Sequence, residues 1–177
     1  MYRSFFLSLI LLVSGACQSF DVARNGQAVE RSFDRFVSEP TQANWSGLLS
    51  SVDKDPGLEL SRLVSLVVQN HEARDRRDLP NSMALENVSP DEFVTRQIQV
   101  VDQTLGKLKS MEDPRLWILL KSLSLQGFDE FLVWSSAELL FRLNPRRFEE
   151  VASIVSPDSE KTRIFAETKA RWSQPPR

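Results

Sequence analysis

The residues of this sequence that could bind a metal or carry a proton are one histidine and several neighbouring carboxylates. His71 and Asp75 are four residues apart, so on a helix they would share one face and offer two ligands to a zinc ion. A catalytic zinc needs a third protein ligand, and the charged stretch RDRRD (residues 74–78) is typical of a helix end or loop. We therefore interpret His71 as a solvent-exposed histidine at a helix C-terminus, and we predict no metal site and no cofactor.

Three pairs of adjacent carboxylates are the other candidates for chemistry: Asp91–Glu92, Asp129–Glu130 and Glu149–Glu150. Each pair falls in the first turn of a predicted helix, where an acidic side chain interacts with the positive end of the helix dipole and adds about 0.3–1 kcal/mol. That structural role accounts for all three pairs, and we predict that the protein is not an enzyme. The alternative is a periplasmic hydrolase that acts on cell wall or glycan through carboxylates brought together by the fold.

Other functional classes find little support in the residues. The sequence has no G-x-S-x-G motif, and Gly106–Lys107 lacks the upstream glycine and the following Ser/Thr of a phosphate-binding loop. Lysine and arginine together number 22 against 24 acidic residues, whereas nucleic-acid binding needs a concentrated basic face. We predict that the chain binds no nucleic acid.

Four tryptophans are candidates for a partner-binding surface. Trp117 and Trp134 lie in the most apolar segments, which favours a position in the core. Trp45 and Trp172 flank polar segments, so we expect these two to be exposed. An exposed tryptophan near a helix end is a suitable anchor for a partner protein, and we predict that Trp45 and Trp172 bind one.

Five short signals indicate where helices begin. In each, an Asp, Ser or Asn that can cap the free amides of a first turn is followed by proline, which loses no hydrogen bond at the first helical position. The five signals are Asp55-Pro56, Ser89-Pro90, Asp113-Pro114, Asn144-Pro145 and Ser156-Pro157. Apolar residues recur at helical spacing between the signals, and no stretch alternates as a strand would.

Two segments are apolar on nearly all sides, Leu116–Gln126 and Phe131–Phe141. Each is too short to cross a bilayer, so we predict a central helical hairpin that turns at Gly127, in the left-handed conformation that ends a helix. The predicted fold is all-α: a single compact bundle of seven or eight helices over residues 28–172, followed by a flexible tail at 173–177. An α-solenoid-like stack of helical hairpins is the alternative.

The first 16 residues are typical of a cleaved export signal. Arg3 supplies a positive charge, and Phe5–Val13 is an apolar run far shorter than the about 20 residues of a membrane span. Small residues from Ser14 onward follow this run. We predict cleavage between Ala16 and Cys17.

Gly15, Ala16 and Cys17, the only cysteine, resemble the lipobox of bacterial lipoproteins, in which small residues precede the cysteine that receives the lipid. The resemblance implies that Cys17 carries a diacylglyceryl thioether and an N-acyl chain, and more than one chain makes a stable anchor. Residues 17–27 would then form the tether. In the sorting rule of such lipoproteins, Gln18 in place of aspartate implies the periplasmic face of the outer membrane rather than the inner membrane.

An ordinary secretion signal is the alternative, with Ser14 and Ala16 at the third and first positions before the same cut. The two interpretations differ only in the fate of the Cys17 thiol. The lipoprotein prediction implies a chain that is held on the lipid bilayer and acts by contact with an envelope protein that the sequence does not identify. Accessory, assembly and immunity roles fit this prediction.

Overall fold

A computed structural model describes residues 26–78, 90–157 and 159–173 of the chain. The predicted signal peptide, Cys17 and residues 174–177 of the predicted tail lie outside the described residues. The described part contains eight α-helices and no strand, which confirms the all-α prediction. The helices are α1 (26–38), α2 (Gln42–Lys54), α3 (Glu59–Asp78), α4 (Pro90–Met111), α5 (Arg115–Leu125), α6 (Glu130–Leu143), α7 (Pro145–Ala152) and α8 (Glu160–Trp172).

Helix α6 is the centre of the bundle. It packs against α3, α4, α5, α7 and α8, and the buried apolar side chains of all eight helices form one connected core. In a solenoid each repeat contacts only its neighbours, whereas here one helix is surrounded by the others. The compact bundle is therefore confirmed over the stack of hairpins.

Helices α6 and α8 run parallel, and the short α7 connects them. At their N-terminal ends Arg163 of α8 reaches Glu130 of α6, with 3.1 Å between Nη2 and Oε1. At their C-terminal ends the guanidinium of Arg142 lies 4.4 Å from the ring centroid of Trp172. Phe148 of α7 packs between the two helices, and its burial fixes α7 across them.

The proline signals lie at or near helix starts, but three are displaced; Pro114 is the N-cap of α5 and precedes its first residue by one position. At Asn144-Pro145 the Asn144 side chain accepts a hydrogen bond from the Arg147 amide, and Pro145 is the first residue of α7. Pro56 and Pro157 instead precede the first residues of α3 and α8 by three positions. Asp55 already serves as the C-cap of α2, so Pro56 lies in a turn and not in the next helix.

The hairpin between α5 and α6 is present, but the expected left-handed glycine at its turn is wrong. Among the described residues no glycine has a positive φ, and the left-handed position belongs to Glu112, directly after α4. At the hairpin the buried side chain of Gln126 shapes the turn. Its Oε1 accepts from the amides of Phe128 (2.6 Å) and Asp129 (2.9 Å), and its Nε2 donates to the Asp129 carbonyl (2.5 Å).

A charged junction joins α1, α3 and the start of α5. The buried carboxylate of Asp113 accepts from the backbone amide of Arg115 (2.9 Å) and from its guanidinium (2.7–3.1 Å). The same guanidinium binds Glu30 of α1 at 2.5 Å and lies 3.9 Å from Glu59 of α3. The hydrogen bonds from the Arg115 guanidinium, opposed by burial, hold the pKa of Asp113 below its ordinary value.

Candidate functional site

The structure places His71 within α3 and not at its end. Helix α3 runs to Asp78, so the RDRRD stretch is the helical end of α3, and His71 lies seven positions before that end. The imidazole Nε2 lies 4.0 Å from Oδ2 of Asp129, and Nδ1 is buried without a hydrogen-bond partner. Within residues 26–78, 90–157 and 159–173, no group of three or more His, Cys, Asp and Glu side chains could hold a metal ion.

Of the predicted carboxylate pairs, Asp129–Glu130 lies at a helix start as expected. Asp129 is the N-cap of α6, and its Oδ1 accepts from the Leu132 amide at 3.0 Å. Asp91–Glu92 likewise directly follows Pro90, the first residue of α4. The first-turn prediction is wrong for Glu149–Glu150, which lies in the second half of α7 because α7 already begins at Pro145.

A cluster of ion pairs lies at the cleft between α6 and α8, which has a volume of about 240 Å³. Glu130 and Glu160 both line this cleft, and Arg163 binds both of them as well as Glu167. Hydrogen bonds with Glu160 and Glu167 raise the pKa of Arg163 above its ordinary value. The fold thus brings three carboxylates to one cleft: Arg163 binds those of Glu130 and Glu160, and that of Asp129 caps α6.

The adjacent carboxylates of α7, Glu149 and Glu150, also form ion pairs with basic side chains. Glu149 binds Lys169 of α8, with Oε1 and Nζ 2.7 Å apart, and Glu150 lies 3.6 Å from Arg146 on the same helix. These contacts are surface ion pairs, which tie α7 to α8 and support the α7 helix itself.

The expected exposure of Trp45 is wrong. Its side chain is buried, and its ring packs on Phe36 of α1 with the centroids 5.1 Å apart. Trp45 lies on the inner face of an amphipathic helix, and the polar residues near it in the sequence belong to the outer face. Trp172 is half-buried at the end of α8.

Three arginine–tryptophan stacks lie on the surface of the C-terminal helices. The guanidinium carbon lies 4.4 Å from the ring centroid for Arg142 on Trp172, and 5.9 Å for Arg163 on Trp134. The third stack joins Arg147 of α7 to Trp117 of α5 at 4.9 Å. The expected core tryptophans Trp117 and Trp134 are partly buried at the edge of the core, and each ring is in contact with an arginine.

The third stack forms part of a groove, named here the α5–α7 groove, with a volume of about 200 Å³. Its lining comes from α5, α6, α7 and the residues after α7: Trp117, Lys121, Leu140, Arg147, Glu150, Val151 and Ile154. The buried side chains of Leu140 and Val151 form an apolar floor. Arg147 and Lys121 place two cations at the rim.

Apolar side chains extend the α5–α7 groove onto the surface. Ile154 is 55% exposed and Ile118 is 45% exposed, among the largest exposures of large apolar residues in the described part of the chain. Ile118 lies one helical turn before Lys121, so both project from neighbouring positions of α5. Single large apolar side chains are common on protein surfaces and need no explanation. A group of them around a tryptophan and an arginine has the residue composition that is typical of a protein-binding site.

Sequence reasoning missed the α5–α7 groove for a physical reason. Arg147 and Trp117 are 30 positions apart, and their contact depends on α6 packing between the helices that carry them. No spacing rule within one helix connects the two. The local signal available was a pair of arginines directly after the Asn144-Pro145 helix start.

Comparison with known proteins identifies no relative: no family model, curated protein or solved structure matches this chain. Among the helices of the described residues, none combines the length and apolar character that a membrane crossing requires.

Proposed function

We propose that this chain is a lipid-anchored protein of the bacterial cell envelope that acts by binding another envelope protein through the α5–α7 groove. The role is non-catalytic, of the accessory, assembly or immunity type. The observation that carries the proposal is the groove itself, where an arginine–tryptophan stack lies beside the exposed Ile154. Tryptophan and arginine are the residues most enriched among those that dominate protein–protein binding energy.

The size of the groove favours protein side chains over a small-molecule substrate. Sites for small organic ligands typically have volumes of about 300–1,000 Å³ and enclose most of the ligand. The α5–α7 groove, at about 200 Å³, and the α6–α8 cleft, at about 240 Å³, are both smaller. One or two anchor side chains from a partner would fill the groove.

The leader supports an envelope location for this activity. Cys17 is the sole cysteine and lies at the position that the lipid pathway uses, and Gln18 favours the periplasmic face of the outer membrane. Helix α1 begins at residue 26 in the described part of the chain, so the segment from Cys17 to α1 can extend at most about 30 Å. The partner therefore lies in the membrane or close to its surface.

The test is affinity capture from detergent-solubilised envelopes with a C-terminally tagged, mature protein. The groove variant is Ile154→Asp, and the matched control is Ile98→Asp, which adds the same charge at an exposed isoleucine of α4. We expect one protein to be captured by the wild type and by the control but not by Ile154→Asp. If no captured protein depends on Ile154, the proposed function is wrong.

The anchor is tested separately by mass spectrometry of the native mature N-terminus. We expect a chain that begins at Cys17 and carries both a thioether-linked diacylglycerol and an N-acyl group. A free amine and thiol on Cys17 would contradict the lipoprotein assignment and leave the groove proposal to be judged on its own.

A further inference from the structure

We infer that the α5–α7 groove recognises a partner segment in which a carboxylate lies next to a large apolar side chain. The inference rests on the proposed function and names the chemistry of the partner. The carboxylate would bind Arg147 and Lys121, and the apolar side chain would pack on Trp117 and Ile154.

The three arginine–tryptophan stacks of the described residues differ in whether the arginine also has an anionic partner. In two of them the arginine also binds a carboxylate of the same chain. Arg142 binds Asp102 of α4 at 2.7 Å, and Arg163 binds Glu130 of α6 at 3.1 Å. Arg147 stacks on its tryptophan in the same way, but no carboxylate lies within ion-pair distance of it in the described residues.

The contact with Trp117 leaves the N–H edge of Arg147 without a carboxylate partner among the described residues. A guanidinium presents five N–H donors in a fixed fork, and none of them needs the ring as an acceptor. That edge matches a carboxylate in a two-pronged arrangement, which adds directional specificity as well as energy. Because the ring of Trp117 already holds the guanidinium, less side-chain freedom is lost when an anion binds.

The charges around the groove favour an anion and disfavour a cation. Lys121 likewise has no ion-pair partner among residues 26–78, 90–157 and 159–173. Glu150, the one acidic residue of the lining, is 3.6 Å from Arg146. The lining therefore presents two positive charges and one negative charge beside an apolar floor, and its net positive charge would repel a partner with lysine or arginine at this position.

The apolar part of the groove requires more than a charge from its partner. Leu140 and Val151 are buried at the floor, and Ile154 and Trp117 offer apolar surface at the sides. An anion alone would leave this surface in water. A leucine, isoleucine or phenylalanine next to the acidic residue would cover it, at about 25 cal/mol for each Å² of apolar area removed from water.

The test uses two sets of fluorescent synthetic peptides of equal length. One set is built from leucine, phenylalanine and aspartate, and the other has lysine in place of aspartate. Fluorescence anisotropy measures their binding to the mature protein at peptide concentrations up to about 1 mM, the range of weak single-site contacts. The groove variant is Arg147→Glu, and the matched control is Arg35→Glu, which makes the same charge change at an exposed arginine of α1 that does not line the groove.

We expect the aspartate peptides to bind the wild type and the Arg35→Glu control. In Arg147→Glu, whose fold is checked by circular dichroism, their affinity falls about tenfold or more, because the charge-assisted hydrogen bonds are lost. The lysine peptides bind Arg147→Glu better than they bind the wild type. Absence of binding by the aspartate peptides, or an equal effect of both substitutions, overturns the inference.

The outcome is distinguishable from failure of the proposed function. If envelope capture depends on Ile154 but the peptides show no preference for aspartate, the groove binds a partner of different chemistry and only this inference fails. If sedimentation shows that the wild type self-associates and Arg147→Glu does not, the groove is filled by a second copy of the chain. That result overturns the assignment of a distinct partner.

Discussion

Removal of the Asp113 carboxylate is expected to destabilise the whole bundle. The Asp113 side chain is only 3% exposed and binds both the amide and the guanidinium of Arg115, which also holds α1 through Glu30. Removing one partner of a buried pair costs about 3–5 kcal/mol, and losing a hydrogen bond to a charged group costs about 1.5–3 kcal/mol. Arg115 is 27% exposed and keeps Glu30, so we expect Asp113→Ala to cost about 2–3 kcal/mol.

The assay is urea and thermal unfolding of the mature chain at pH 7, monitored by circular dichroism. A cost of this size lowers Tm by about 4–12 °C in a domain of this length. The control is Arg146→Ala, which removes a surface pair whose arginine is 91% exposed and which contributes about 0.3–0.5 kcal/mol. Equal losses in Asp113→Ala and Arg146→Ala would refute the reasoning.

Because of the same junction, we expect the stability of the fold to depend on pH. The pKa of Asp113 is lowered in the folded protein, chiefly by its hydrogen bonds with Arg115, so the unfolded chain binds the proton more tightly. The stability that the pair contributes is therefore fully present above the ordinary aspartate pKa of about 3.9 and is lost as the pH falls through the lower folded value. The difference in the free energy of unfolding between the wild type and Asp113→Asn should be constant from pH 7 to pH 5 and should decrease below about pH 4.

Three further predictions test the turn, the core and the catalytic alternative. Gln126→Ala should lower the free energy of unfolding in urea by about 1–3 kcal/mol, because it removes the hydrogen bonds that shape the turn. Gly127→Ala should leave that free energy unchanged, because the added Cβ meets open space and the φ of Gly127 is not positive. Trp45→Ala should cost about 3–5 kcal/mol, and Trp45→Phe should leave envelope capture unchanged. The wild type should release no more soluble glycan from purified cell wall than Glu130→Gln or Glu160→Gln releases. If these variants lose a glycan-releasing activity that the wild type has and still capture the partner, the non-catalytic proposal is wrong.

The features that the sequence predicted correctly are those that depend on neighbouring residues. The Asn144-Pro145 start of α7 follows from a side chain that caps amides two or three positions away, and proline tolerates that position in any fold. The apolar segments on either side of Gly127 form a hairpin because both must be buried and the link between them is short.

The features that the sequence did not predict depend on packing between distant segments. The expected role of Gly127 belongs to Gln126, whose buried amide satisfies the turn, and residue type alone does not distinguish the two solutions. Trp45 is buried because of the face of α2 on which it lies, a property that its polar neighbours obscured. The stack of Arg147 on Trp117 brings together helices separated by the whole of α6.

The most direct test of the central claim is site-specific photo-crosslinking in the cells that naturally produce the chain. Benzoylphenylalanine is placed at Ile154 in the α5–α7 groove or, as the control, at Ile98 on α4, which is similarly exposed. The account predicts one crosslinked envelope protein from position 154, abolished by Arg147→Glu, and none of the same mass from position 98. A crosslink from position 98 with none from position 154, or one from 154 that persists in Arg147→Glu, would contradict the account.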